Sequence, residues 1–130
     1  MTTGRFPAGS WMDRLETKHG LPLEEIEATV YVIHYAEPTV VASVSTDYGR
    51  GVSERPIQHY VGWTQQAKPM NRVRNHHAPG TSFTVDFRTG TMHDENRLKA
   101  YGRCASCGAA LADSLVPEAA VYFRTRYDPL

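Results

Sequence analysis

Cysteine is scarce in this sequence, which has only Cys104 and Cys107 among its 130 residues. A chain of this length can form a single core without help from disulfides. Long apolar runs are missing, so no segment reaches the roughly 20 residues of a membrane-spanning helix. The first residues, MTTGRFPAGSW, lack the charged and then apolar pattern of a secretory signal. We therefore expect a cytoplasmic protein that does not contact a membrane.

The chain also carries no net charge, because its 14 Lys and Arg residues balance its 14 Asp and Glu residues. This balance argues against a dedicated nucleic-acid coat protein, but the charges are unevenly distributed. Residues 1–28 carry three Lys/Arg and five Asp/Glu, whereas residues 50–88 carry six Lys/Arg against two acidic side chains. Phosphate contacts need local positive charge, so the second segment is a candidate nucleic-acid surface. A solvated surface that happens to be basic is the alternative.

The first 28 residues form an N-terminal helical extension in our interpretation. Residues 10–18 predict a short amphipathic helix with Ser10 as its N-cap, and the helix is expected to stop at Gly20. An acidic turn or short helix follows from Leu23 to Ala28. We expect the extension to pack on the domain as a lid or brace, with a partner-binding arm as the alternative.

The segment TVYVIHYA, residues 29–36, is β-branched and aromatic, as is typical of a strand. Both of its faces are mostly apolar, which predicts a central strand. Glu37 and Pro38 are expected to end it. Residues 37–58 then form an insertion, with a short strand over residues 39–45 and a glycine-rich turn over residues 47–51. The insertion is either a DNA-contacting flap or a solvent loop with no role.

A second strand, antiparallel to the first, is predicted at residues 59–64. Pro69 suits the first turn of a helix whose residues Met70 and Val73 face inward. Residues 81–88 alternate as a third strand, with Phe83, Val85 and Phe87 pointing inward. Thr91 predicts the N-cap of a helix that runs to about residue 101. Together these elements predict an α+β fold with a small antiparallel sheet flanked by helices.

Tyrosine and arginine are combined here in a way that suits phosphodiester chemistry. Tyr60 lies on the second strand, and Arg72 and His76 are spaced to project from one side of the following helix. Arginine offers a fork of donors that matches phosphate oxygens, and tyrosine or histidine can move protons. The simpler explanation for each strand tyrosine is that it is a large core residue.

These motifs resemble the GIY-YIG endonuclease superfamily. The resemblance rests on Tyr60-Val61-Gly62, on Arg72-Val73-Arg74-Asn75-His76, on an upstream strand with Tyr31, and on Glu95-Asn96-Arg97-Leu98-Lys99. It covers roughly residues 29–107 and implies a nuclease-like domain at residues 29–103, with a three-stranded sheet, followed by a C-terminal segment at residues 104–130. It implies a metal-dependent endonuclease that hydrolyses DNA.

The resemblance also implies a role for each catalytic residue. Glu95 would hold a Mg²⁺ or Mn²⁺ ion, and Arg72 would hold the scissile phosphate. Tyr31 would act as general base or position the attacking water, with its pKa lowered by nearby cations, and the choice of base between Tyr31 and Tyr60 stays open. Tyr60 and His76 would assist by hydrogen bonding or proton transfer. The simpler explanation for Glu95 is a surface ion pair with Lys99.

DNA is the expected partner, and five basic residues are the candidate contacts to its backbone: Arg50, Arg55, Lys68, Arg74 and Lys99. A homodimer is an open alternative to a monomer. Two other functions also remain open, namely an inactive DNA-binding module of the same fold and a small zinc-knuckle interaction protein.

Cys104 and Cys107 form a C-x-x-C-G sequence that offers half of a zinc ligand set. Histidines such as His76 or His93 would complete the set, or a second chain would bring its own pair. A reduced pair of thiols without metal is the alternative in a cytosolic protein.

Overall fold

A computed structural model describes residues 6–45, 50–52 and 55–114. Its elements in chain order, with a 3-10 helix at Leu23–Glu25, are α1 (Trp11–His19), β1 (Ala28–Thr39), β2 (Ala42–Ser45), β3 (Arg50–Val52), β4 (Ile57–Thr64), α2 (Pro69–Arg74), β5 (Phe83–Gly90), α3 (Met92–Tyr101) and α4 (Leu111–Ser114). Of the C-terminal segment predicted at residues 104–130, the part from residue 115 onward lies outside the described residues.

The main sheet has three antiparallel strands in the order β4-β1-β5, so β1 is central. Its two apolar faces explain this position. Tyr31, Ile33 and Tyr35 belong to one buried cluster, and Val30 and Val32 belong to a second. The predicted α+β fold, a small antiparallel sheet flanked by helices, is confirmed.

Strand β1 is longer than predicted, because it continues through Glu37 and Pro38 to Thr39. Proline is tolerated here because the ladder is irregular. The pairing with β4 shifts register between His34 and Thr39, and the pairing with β5 ends at Tyr35. Pro38 therefore removes no regular hydrogen bond.

The insertion contains a small two-stranded hairpin of β2 and β3. The turn predicted at residues 47–51 falls largely outside the described residues. The first strand of this hairpin is attached to the main domain, because the Ala42 amide donates to the His76 carbonyl at 2.7 Å.

Helix termini follow the predicted capping residues. The Ser10 hydroxyl accepts from the Asp13 amide, and Gly20 ends α1 in the left-handed region at φ 65°. Thr91 and Asp94 form a reciprocal capping box at the start of α3. Helix α2 is shorter than predicted and ends at Arg74, so His76 lies in the turn after the helix.

The third strand begins two residues later than predicted, and one of its inward assignments is wrong. Phe83 and Val85 pack against the buried cluster around Tyr31, but Phe87 is 40% exposed. The reason is that β5 is an edge strand. Within the described ranges, none of the helices has the length and apolar character of a membrane span.

Candidate active site and histidine-cysteine cluster

Tyr31 is the centre of the first candidate site, and its hydroxyl lies 2.6 Å from Nε2 of His76. The other imidazole nitrogen, Nδ1, lies 3.0 Å from the Ala42 carbonyl oxygen. A carbonyl only accepts, so Nδ1 carries the proton and Nε2 of the neutral ring accepts. The Tyr31 hydroxyl therefore donates to His76.

The pKa of Tyr31 is raised, and the predicted decrease is wrong. Burial is the largest cause, and the nearby Tyr60 and Glu95 add to it. Arg72 opposes them through its charge and through a hydrogen bond to the hydroxyl, but its effect is smaller. Tyr31 is consequently a protonated phenol at neutral pH, and His76 is the group placed to accept its proton.

Tyr60 completes the aromatic side of the site. Its ring centroid lies 6.5 Å from that of Tyr31 and 4.2 Å from that of His76. Tyr60 and Tyr31 reach the same face because β1 and β4 are antiparallel neighbours, with Tyr31 paired to Gly62 and Ile33 paired to Tyr60. The site is therefore built on the two adjacent strands that carry the two motif tyrosines.

Glu95 and Lys99 form a buried ion pair, with Nζ 2.8 Å from Oε2 and both side chains less than a tenth exposed. The sequence pattern predicts this pair as a surface feature of the helix, but the pair lies inside the protein. Burial lowers the pKa of Lys99, and Glu95 opposes this shift. Lys99 is thus placed against Glu95 rather than on an outer surface where DNA would bind.

The other candidate DNA contacts lie elsewhere on the molecule. Arg55, Lys68 and Arg74 are exposed, whereas Arg72 is partly buried. Arg50 lies in β3, and its side chain is outside what the structure describes. Arg72 and Arg74 therefore take different environments on one short helix, and Arg72 is the arginine that faces Tyr31.

Gly62 is required by the position of Tyr31, which leads to a first prediction. A Cβ atom at Gly62 would lie 2.3 Å from the Tyr31 hydroxyl oxygen. We expect Gly62→Ala to cost about 2–3 kcal/mol in the free energy of unfolding, because the buried phenol must move. Urea denaturation measures this cost. If the site is catalytic, the variant also loses most of its cleavage activity.

The matched control is Gly80→Ala. Gly80 has φ 85° with nothing within 4 Å of a Cβ, so alanine there costs about 1–2 kcal/mol through backbone strain alone. This variant should keep its activity. A Gly62→Ala protein as stable and as active as the wild type would contradict the close approach.

The second candidate site is a cluster of His34, His59, Cys104 and Cys107, whose ligand atoms all lie within 4.8 Å of one another. Nδ1 of His34 is 2.9 Å from Nε2 of His59 and 3.5 Å from Sγ of Cys104. Sγ of Cys107 is 3.3 Å from Nε2 of His59. The two cysteine ligands are 3.7 Å apart. These four residues can hold a metal ion.

The cysteines come from a tight turn directly after α3. The Ser106 amide donates to Sγ of Cys104, and the Gly108 amide donates to the Cys104 carbonyl. Gly108 has φ 76°, a conformation that favours glycine. The turn closes where Arg103 and Ala110 form a β-bridge, which brings both thiols toward the sheet.

The histidines of this cluster were missed in the sequence. His76 and His93 were proposed to complete the set, but His76 binds Tyr31 and His93 accepts from Arg97. His34 and His59 are instead cross-strand partners on β1 and β4. The sequence did contain a signal for these histidines. In the antiparallel register that pairs Tyr31 with Gly62, His34 is also paired with His59, so the two histidines lie side by side.

The two candidate sites lie on opposite faces of the sheet. Tyr31 and Tyr60 belong to the buried cluster on one face, and Cys104 packs with Val32 and Val61 on the other. His34 alternates with Tyr35 along β1, which places it on the face of Val32. Burial, followed by the neighbouring His34, lowers the pKa of His59, which favours the neutral ring that binds metals.

Comparison of the chain with protein-family models, curated proteins and solved structures finds no match.

Proposed function

We propose that this protein is a divalent-metal-dependent endonuclease that hydrolyses DNA phosphodiester bonds. The observation that carries the proposal is the convergence of four side chains on one hydroxyl. His76 accepts from Tyr31, and Arg72, Tyr60 and Glu95 are near enough to alter its pKa or to stack with it. These residues come from β1, β4, the region of α2 and α3. Neither the packing of a core nor the capping of a helix requires histidine, arginine, tyrosine and glutamate side chains to meet around one hydroxyl.

The proton-transfer side of the mechanism uses the Tyr31–His76 hydrogen bond. In the proposed step a water molecule attacks phosphorus and gives its proton to the Tyr31 oxygen, while the Tyr31 proton passes to Nε2 of His76. The carbonyl of Ala42 holds the Nδ1 proton, so the imidazole receives the proton at the correct nitrogen. His76 would then lose this proton by the reverse route, through the Tyr31 hydroxyl, and the departing alkoxide would take up a proton from water.

The phosphate side uses Arg72 and Glu95. Arg72 would bind the non-bridging oxygens, where negative charge grows as the water oxygen bonds to phosphorus and the ester P–O bond breaks. Oε2 of Glu95 is paired with Lys99, and no hydrogen bond to Oε1 occurs within the described residues. One free carboxylate oxygen suits Mg²⁺ or Mn²⁺, which keeps most of its waters. Such an ion supplies Lewis-acid stabilisation of the phosphate and of the leaving oxygen.

The DNA-binding surface in this proposal consists of the exposed cations Arg55, Lys68 and Arg74. Lys68 and Arg74 lie at the two ends of α2, the helix that carries Arg72. Backbone phosphates on either side of the scissile bond would therefore meet positive charge on both sides of the catalytic arginine.

The proposal is tested by cleavage of supercoiled plasmid and of branched DNA with Mg²⁺ or Mn²⁺, using two matched arginine variants. We expect Arg72→Gln to lower the cleavage rate by about 10²–10³-fold, because its hydrogen bonds to the developing charge are lost. Arg74→Gln removes the same charge from the same helix but not from the site. It should change the rate only a few-fold and should respond to salt concentration.

The outcomes separate the proposed nuclease from its alternatives. A wild-type protein that binds DNA but does not cut with either metal would be an inactive module of this fold. A protein that neither cuts nor binds DNA would leave the histidine-cysteine cluster as its main functional feature, as expected of a zinc-knuckle interaction protein. Equal cleavage by the Arg72→Gln variant and the wild type would remove Arg72 from the mechanism.

A further inference from the structure

We infer that His34, His59, Cys104 and Cys107 form a closed structural zinc site that fastens the end of α3 to the sheet. The cluster does not contain any residue of the proposed hydrolytic site, and it lies on the opposite face of β1 and β4. The inference therefore goes beyond the nuclease proposal and does not depend on it.

Of the six distances between the four ligand atoms, all are at most 4.8 Å, and three match the edges of a tetrahedral zinc site. Zinc binds sulfur at about 2.3 Å and imidazole nitrogen at about 2.0–2.1 Å, so the edges of the tetrahedron are about 3.3–3.8 Å. The observed separations of 3.3, 3.5 and 3.7 Å fall in this range. The two histidine nitrogens are closer, at 2.9 Å. A bound ion would separate them by a few tenths of an ångström.

The chemistry of the donors selects zinc over the hard cations. Two thiolates and two imidazoles are soft or borderline ligands, whereas Mg²⁺ and Ca²⁺ require oxygen. The backbone around the sulfurs is also suitable, because the Ser106 amide donates to Sγ of Cys104. Amide hydrogen bonds of this kind stabilise a metal-bound thiolate.

Four protein ligands fill the tetrahedron, so no position remains for water or substrate, and the role is structural. The ligands join three segments that are distant in the chain. His34 lies on β1, His59 lies on β4, and both cysteines lie in the turn that follows α3. The ion would therefore hold the carboxyl end of α3, the helix that carries Glu95 and Lys99, against the central strands.

Burial within the cluster fits this role. His59 and Cys104 are almost fully buried, at 1% and 4% exposure. Cys104 and Leu111 pack with Val32 and Val61, so the turn and α4 cover this face of the sheet. A metal held by the two cysteines and the two strand histidines would add its binding free energy to these apolar contacts and fix the turn on the sheet.

The first experiment measures the metal content of the purified full chain by inductively coupled plasma mass spectrometry. We expect about one zinc per chain after exhaustive dialysis. Replacement with Co²⁺ should give the visible absorption of a tetrahedral site with thiolate ligands, a readout that needs no variant. Metal-free protein with normal folding, or a cobalt spectrum of six-coordinate type, would overturn the inference.

The ligand set is tested by Cys107→Ser and His34→Gln, with His93→Gln and Ser106→Ala as matched controls. Cys107 is exposed, so its substitution disturbs packing little. We expect both ligand variants to lower the apparent affinity for Zn²⁺ by at least about 10–100-fold, and both controls to retain one zinc. Chelation by EDTA should lower the melting temperature of the wild type but not that of Cys107→Ser.

Cleavage assays on the same samples keep this inference distinct from the nuclease proposal. Zinc bound by these four ligands in a protein that never cuts DNA would support the inference and contradict the proposed function. If the wild type cuts DNA but Cys107→Ser binds zinc as tightly as the wild type does, the proposed function would be supported and the zinc inference contradicted. A Cys104–Cys107 disulfide in place of metal, detected by a mass two hydrogens lower, would also overturn the inference.

Discussion

Glu95→Gln is expected to lower the rate of DNA cleavage about 1,000-fold while the protein stays folded. Glutamine keeps an oxygen that accepts from Lys99 but loses the charge that a Mg²⁺ or Mn²⁺ ion needs. A metal contribution of about 4 kcal/mol to the transition state corresponds to this factor. The stability cost should be only about 1–2 kcal/mol, because one charge-assisted hydrogen bond becomes weaker. Single-turnover cleavage and urea denaturation measure the two effects separately.

Glu95→Ala is the less informative variant, since it removes the carboxylate that neutralises the buried Lys99 cation. We expect it to lose about 3–5 kcal/mol of stability, so inactivity alone would have two explanations. The double variant Glu95→Ala/Lys99→Met removes both charges and should recover most of that stability. Its activity should remain absent. Cleavage at the wild-type rate by either Glu95→Gln or the double variant would contradict the role of Glu95.

Tyr31→Phe is expected to lower the cleavage rate about 10²–10³-fold by removing the hydroxyl that links the attacking water to His76. The ring remains, so the core around Ile33 and Tyr60 keeps its packing. The loss of the hydrogen bonds that this hydroxyl makes with His76 and Arg72 should cost about 1–2 kcal/mol in the free energy of unfolding. The cleavage rate and the unfolding midpoint are measured on the same preparation.

Tyr35→Phe provides a matched control for this prediction. Tyr35 lies on the same strand and the same face, and its hydroxyl lies 3.1 Å from Nδ1 of His77. Its removal deletes a tyrosine–histidine hydrogen bond outside the proposed site, so stability should fall to a similar extent and cleavage should change only a few-fold. Equal loss of cleavage in the two variants would indicate a structural effect rather than proton transfer.

The pH dependence of stability gives a second readout for the same pair. Burial raises the pKa of both tyrosines above the ordinary value of 10.0. The folded protein therefore retains protons that the unfolded chain loses above pH 10, and stability falls as the pH rises beyond that value. Each Tyr→Phe variant should lose stability less steeply there than the wild type.

Local features of the fold could be predicted from the sequence because they depend on residues that are close together in the chain. Ser10 and Thr91 cap α1 and α3 as predicted, since capping requires only a side chain within three residues of an amide. The two apolar faces of β1 predicted its central place for a similar reason. The strand patterns around Tyr31 and Tyr60 then predicted an antiparallel sheet flanked by helices, and the architecture is confirmed.

Tertiary contacts determined the features of the fold that local sequence patterns could not predict. Pro38 remains within a strand because the register shift leaves it without a regular partner. The depth of burial raises the pKa of Tyr31, although the sequence shows only the cations that would lower it. Glu95 and Lys99 have the spacing of a surface ion pair, and only the packing of α3 on the sheet makes that pair a buried one.

The sequence by itself determined the helix caps, the two apolar faces of β1 and the residue types that suit phosphodiester chemistry. The tertiary structure alone decided which histidines meet the two cysteines. His34 and His59 are 25 positions apart, and Cys104 is 70 positions from His34. Only the β1–β4 register and the turn after α3 bring them together. Ligand sets of this kind depend on long-range pairing, and local sequence patterns do not encode that pairing directly.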